Sequence, residues 1–171
     1  MIAKAVGLIS IIAALGVWGG GMDSPRAAED TAALATAMKD ATATLQGGLK
    51  ASAREGTPIS AKFEIEDGKL QLSVYTIKGD EFMEVVADPK TGAIAKAEEI
   101  TDADDLKAAA SQKTAMTKAK VPLLTATETA VKANAGSQAV SVYPELQGSS
   151  PVAEVTLLQG MTFKKVLEKL D

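Results

Sequence analysis

Ser60-Ala61-Lys62 and Ser111-Gln112-Lys113 each bring a hydroxyl near an amine, the pairing a Ser/Lys hydrolase uses when its lysine is unprotonated. On an extended strand Ser60 and Lys62 share one face. Nothing else in either neighbourhood marks a nucleophile, so both pairs read as solvated polar positions. Asp102, Asp104 and Asp105 cluster carboxylate oxygens, as a calcium ion requires, but the central Gly and terminal Glu of an EF-hand loop are missing at the needed spacing. They read as acids in the first turn of a helix. Glu84 and Asp88 would share a strand face at a separation of ~13 Å, too far for a glycosidase pair. Asp88 is more simply a turn residue. The chain has no His and no Cys, which removes the usual general base, the thiolate nucleophile and the commonest transition-metal ligands. No catalytic residue, cofactor set or metal ligand set is therefore expected, and the chain reads as a non-enzyme.

The elements that carry these residues are legible from periodicity. Ile59, Ala61, Phe63 and Ile65 alternate with Lys62, Glu64 and Glu66, the pattern of a half-buried strand. Asp67-Gly68 predicts a hairpin turn. The strand LQLSVYTI follows, with Leu70, Leu72 and Val74 inward, so Lys62 faces outward and Tyr75 and Ile77 form a partly apolar outer face. That face is either buried by the other half of the molecule or left as a binding patch, which makes Tyr75 and Ile77 the candidate partner-binding residues. Lys78-Gly79-Asp80 turns into a third strand, EFMEVVA. Asp88-Pro89-Lys90-Thr91-Gly92 is a turn leading to a fourth strand near Ala93 to Glu98.

Ahead of this meander, residues 28 to 53 place Leu34, Met38, Leu45 and Leu49 on one helix face, with a kink or break expected at Gly47-Gly48. After it, Thr101 caps a weakly amphipathic helix that links two halves or lies on the surface. Val121-Pro122 opens another helix, with Leu124 and Val131 on one face and Gly136 at its end. Strands return in AVSVYPEL and VAEVTLL. The tail fits helical spacing, yet Gly160, Phe163 and Val166 repeat Gly79, Phe82 and Val85 at equal offsets, which favours a strand.

Residues 1 to 22 contain Lys4 and an apolar run from Ala5 to Trp18, the length of a signal-peptide core. Cleavage near Gly21 is expected, giving a periplasmic or secreted protein. An uncleaved segment would instead anchor it to the inner membrane, the one sense in which a membrane is a partner. The formal charge of −4, without a basic stripe, excludes nucleic acid as a partner.

The run FEIEDGKLQLSVYTIKGDEFMEVVADPKTGAI resembles the latter part of a PepSY domain, including its closing D-x-x-T-G-x-I turn at Asp88, Thr91, Gly92 and Ile94. LLTATETAVKANAGSQAVSVYPEL resembles the opening helix and first strand of the same domain, with Ala126, Ala130 and Gly136 at its small positions; no D-x-x-T-G follows. The repeat of helix, strand, turn, strand, turn, strand from 28 to 100 and again from 121 to 171 predicts an α+β fold of two similar lobes, and the resemblance implies that each is a helix packed on a three- to four-stranded antiparallel sheet. The expected organisation is a leader at 1–21, a first unit at 28–100, a linker helix at 101–120 and a second, truncated unit at 121–171. It also implies a non-enzymatic exported module that binds a protein, inhibiting or assisting an envelope peptidase or another exported protein. The alternative is a small-ligand or cation-binding accessory of an envelope transport or redox system.

Overall fold

The structure, a computed structural model, describes residues 25–171; the expected leader lies outside them. The chain forms helix α1 (Pro25–Ala37), a 3-10 turn (Met38–Asp40), α2 (Leu45–Ser52), strands β1 (Thr57–Glu66), β2 (Lys69–Lys78), β3 (Glu81–Ala87) and β4 (Ile94–Glu99), helices α3 (Ala103–Lys118) and α4 (Leu123–Ala133), and strands β5 (Gln138–Gln147), β6 (Ser150–Gln159) and β7 (Thr162–Lys169). All seven strands join one antiparallel sheet in the order β4-β3-β2-β1-β5-β6-β7. The α+β class is as expected. The two halves meet through a β1–β5 pairing and share this one sheet.

The hairpin chemistry acts as its residue types require. Asp67 and Gly68 both hold positive φ, 50° and 73°, the left-handed pair that matches the twist of a two-residue hairpin. One face of the sheet is apolar. Ala61, Phe63, Leu72, Val74, Val85 and Ala87 from the first half and Val142, Ala153, Val155 and Leu157 from the second are all buried there. Met38, Leu45 and Leu49, with Leu123, Ala126 and Ala130 of α4, close over them. A Leu or Phe removed from water in this way contributes about 1.5–3 kcal/mol.

The helix break is displaced from its expected place. Gly47 and Gly48 lie inside α2, and the chain breaks at residues 41–44 instead. The Thr44 hydroxyl caps α2 by accepting the Gly47 N–H, and the Thr42 and Ala43 N–H groups donate to the Pro89 carbonyl of the β3–β4 turn. Gly48 is needed for approach, since a Cβ there would come within 2.6 Å of Leu72 Cδ2. Helix α3 also starts one residue late: Asp102 is its cap, accepting the N–H groups of Asp104 and Asp105. On α4 the buried residues are Leu123, Ala126, Thr127 and Ala130, while Leu124 and Val131 lie at the margin of the core. The tail is strand β7, as the equal offsets indicated.

Those offsets extend through both halves. β1 and β5 have ten residues each, as do β2 and β6. β1 is irregular at Ile59 and β5 at Val140, the corresponding residue. Ala61 pairs with Val142, its own counterpart, so a local two-fold relation passes between them. Helix α3 breaks that symmetry by lying on the second face of the sheet, against β1, β5 and β6.

Candidate functional site

The second face mixes polar side chains with a small apolar cluster, and α3 lies across its centre, against β1, β5 and β6. Cross-strand pairing aligns Glu98, Glu84, Tyr75 and Ser60 in one row and Lys96, Val86, Ser73, Lys62 and Ser141 in the next. Ser60 donates from its hydroxyl to Gln112 Oε1 of α3 at 2.6 Å, so its role is to dock a helix. Lys62 is 4% exposed, pairs with Glu64 Oε2 at 2.5 Å and stands 5.7 Å from the centre of the Tyr75 ring. The outward, solvated placement expected for Lys62 is therefore corrected: a helix lies over that face and the ammonium is satisfied beneath it. Ser111 is exposed and Lys113 lies over the Phe82 ring at 5.8 Å, so neither Ser/Lys pair assembles a nucleophile.

Tyr75 and Ile77 do point away from Leu72 and Val74, but they are not a free patch. Tyr75 is 1% exposed and packs with Ile59, Ile100 and Ala109, while half-buried Ile77, Phe82, Leu106 and Met116 flank that cluster. Of the candidate partner-binding pair, Tyr75 is thus core, sealed by α3, and Ile77 is half-buried at its margin. Burial raises the Tyr75 phenol, and Glu84 beside it adds to the shift. Burial likewise raises the Glu84 carboxyl, opposed by a hydrogen bond from Ser73. Desolvation also raises Tyr143 on the same face.

Asp88 is the expected turn residue. Its Oδ1 accepts from the N–H groups of Lys90 and Thr91 at 3.0 and 2.7 Å and from the Thr91 hydroxyl at 2.9 Å. These bonds hold its carboxyl below the usual range, those from Thr91 most strongly. The turn also fastens the α1–α2 connection, because the Thr42 hydroxyl donates to the Lys90 carbonyl. Asp102, Asp104 and Asp105 open α3, and among the described residues no group of three or more Asp or Glu is placed to hold a metal ion.

The described surface carries small depressions. One of about 180 Å³ lies between Asn134, Ser137, Gln159 and Lys164; another of about 120 Å³ lies between Thr44, Gln46, Phe63 and Gln138. Both fall below the roughly 300–1,000 Å³ of ordinary small-molecule sites.

The sheet's edges present backbone groups without a strand beside them among the described residues, a feature the alternation pattern alone does not reveal. β3 has β4 on its outer side, whereas β7, which stands where β3 stands in the first half, has no partner there among the described residues. The Leu170 N–H donates to Pro151 O, so even-numbered residues of β7 bond inward to β6. The N–H and C=O groups of Phe163, Lys165 and Leu167 accordingly face the open side. The first half follows the same rule, with the Ile100 N–H donating to Phe82 O across the β3–β4 pair. Lys164 and Lys165 are exposed and Leu167 is 52% exposed. Lys165 pairs with Glu154 at 2.8 Å, and Lys164 donates to Asn134 Oδ1 at 2.7 Å.

Residues 31–98 match the PepSY family model, described as the peptidase propeptide and YPEB domain. The match runs from within α1 to within β4 and so includes the Asp88–Gly92 turn. The first half of the chain is thus similar to a PepSY domain over residues 31–98. Nothing among curated proteins matches the chain. A solved structure of a candidate lipoprotein from Clostridium difficile 630 is similar at 13% identity, covering 72% of this chain and 81% of its own, with a TM-score of 0.39. Among the described residues no helix is long and apolar enough to cross a membrane.

Proposed function

We propose that the chain is an exported, non-enzymatic binding module of two PepSY-like units, which takes up an extended segment of an envelope peptidase or another exported protein along the open edge of β7. The observation that carries this reading is the contrast between β3, whose outer side holds β4, and β7, whose outward backbone groups have no strand beside them among the described residues. An extended chain added there gains main-chain hydrogen bonds, and side chains at alternate positions set its specificity. The PepSY match at 31–98 supports association with peptidases, since the domain is described from peptidase propeptides. Export rests on Lys4 and the apolar run from Ala5 to Trp18.

A photo-crosslinker placed in turn at Leu167, at Ala97 on β4 and at Thr129 on the exposed side of α4 tests the proposal in envelope fractions. The same exported protein should be captured from Leu167 and from neither other position. Capture from all three alike, or from none while a small molecule or cation stabilises the fold at micromolar concentration, would replace this reading with the ligand-binding alternative. N-terminal sequencing of fractionated protein tests export: a Met1 start in the cytosol contradicts it, and a Met1 start in membranes indicates an anchor.

A further inference from the structure

We infer that the segment taken up beside β7 runs antiparallel to it and carries two consecutive carboxylates, one facing Lys164 and the other Lys165. The inference rests on the reading of β7 as the docking edge and adds the chemistry of what docks there. It comes from superposing the register of the first half on the second. β4 sets Glu99 opposite Met83, Glu98 opposite Glu84, Ala97 opposite Val85 and Lys96 opposite Val86. At the corresponding positions β7 carries Lys164, Lys165, Val166 and Leu167. In its own place β4 therefore sets Glu98 against another glutamate, and Glu84 is raised by burial. The same strand moved beside β7 would set Glu99 against Lys164 and Glu98 against Lys165, turning one like pair into two opposite pairs.

Lys164 and Lys165 point to opposite faces of the sheet, so two adjacent acidic residues on one extended strand, which also point to opposite faces, satisfy both. Lysines on an edge repel strands that lack such charges. The residues that discourage indiscriminate pairing thus select the acidic segment.

A second copy of the chain fits the edge poorly. β4 and β7 run in the same direction in the sheet, so a copy with its faces aligned would offer β4 parallel to β7. A second β7 would bring three more lysines, with one glutamate, against Lys164, Lys165 and Lys169. The occupant is therefore a segment of another protein.

The probe is the peptide of residues 93–100, AIAKAEEI, used as an acidic strand and compared by fluorescence anisotropy with its form carrying E98K and E99K. The full chain should bind the acidic peptide roughly tenfold more tightly, as two partly solvated pairs allow. The double variant Lys164→Glu/Lys165→Glu should invert that preference. Leu167→Pro, which removes an outward N–H, should abolish binding. If that variant does not fold, a peptide N-methylated at alternate residues should lose binding to the unaltered protein. Equal binding of both peptides, lost with Leu167→Pro or N-methylation, would overturn the acidic selection and leave the docking edge standing. Failure of both peptides to bind would overturn the inference and the edge reading together. Self-association in sedimentation that the peptide dissolves would assign the edge to a second copy and overturn the choice of occupant.

Discussion

The two halves of this sheet are built on one plan and end differently. In each, a helix packs on a three-stranded meander with an irregular first strand, and equivalent residues, Ala61 and Val142, pair at the centre. The first half then adds a turn fastened by Asp88 and a fourth strand, while β7 in the second remains an edge among the described residues. The third strands differ accordingly: β3 places Met83 and Glu84 against β4, and β7 exposes Lys164 and Lys165. The sheet's two outer strands among the described residues also differ in charge: β4 carries Lys96 with Glu98 and Glu99, and β7 carries Lys164, Lys165 and Lys169 with Glu168.

The comparison can be broken most severely at the α3 face. Tyr75→Asp would place a carboxylate in an apolar cluster beside Glu84 and should cost ~4 kcal/mol or prevent folding, read from denaturant melts. A near-normal melt would mean that α3 does not seal Tyr75. Next, Leu72→Ala in the shared core should cost ~2–5 kcal/mol, whereas enlarging its counterpart Ala153 to Leu should cost ~1–3 kcal/mol through overpacking. If Ala153→Leu were neutral, the halves would not be packed to the same tightness.

Lys62→Ala sharpens the contrast at smaller size. It leaves Glu64 without its ion-pair partner near a covering helix and should cost ~1–3 kcal/mol, against under ~0.5 kcal/mol at a solvated position such as Lys132. Equal effects at the two lysines would return Lys62 to the surface.

The smallest effects are pH-dependent and opposite in sign. Burial raises Glu84 above its ordinary value, so its favourable contribution is complete below that value and is lost as pH rises through the raised one. Glu84→Gln should therefore raise the Tm near pH 7 and change little near pH 4. Asp88 is held low, so its contribution is present above the ordinary carboxylate range and disappears as pH falls through the lowered value. Asp88→Asn should lower the Tm at neutral pH and flatten the acid limb. Melting curves across pH for both variants check the pair of signs.

Much of this architecture was legible in residue types. The inward alternation of Ala61 and Phe63, the Asp67-Gly68 hairpin, the Asp88–Gly92 turn and the spacing of Gly160, Phe163 and Val166 each express a local rule and stand where that rule puts them, whereas Ile59, at the irregularity in β1, packs with Tyr75 on the other face and Ile65 is exposed. What was hidden depended on partners distant in sequence. Nothing local to Gly47-Gly48 shows that Leu72 presses on the backbone, or that the chain breaks earlier to reach the Pro89 carbonyl. That α3 is what covers Lys62 and Tyr75 was illegible for a related reason, although burial of the Tyr75 face was one of its two readings. α3 packs through Ala109, Ala115 and Gln112, small and polar residues that give no apolar stripe, so its sequence does not announce that it covers a sheet. The edge at β7 escapes alternation altogether, because openness belongs to the neighbour a strand lacks.

Amide hydrogen exchange with and without the acidic peptide AIAKAEEI tests the central claim most directly, since it reads each edge residue by residue. The N–H groups of Phe163, Lys165 and Leu167 should exchange rapidly in the protein alone and become protected on adding the peptide, while those of Ala97 and Glu99 on the outer side of β4 stay unchanged. Protection confined to β4, or full protection of β7 before any peptide is added, would contradict the account.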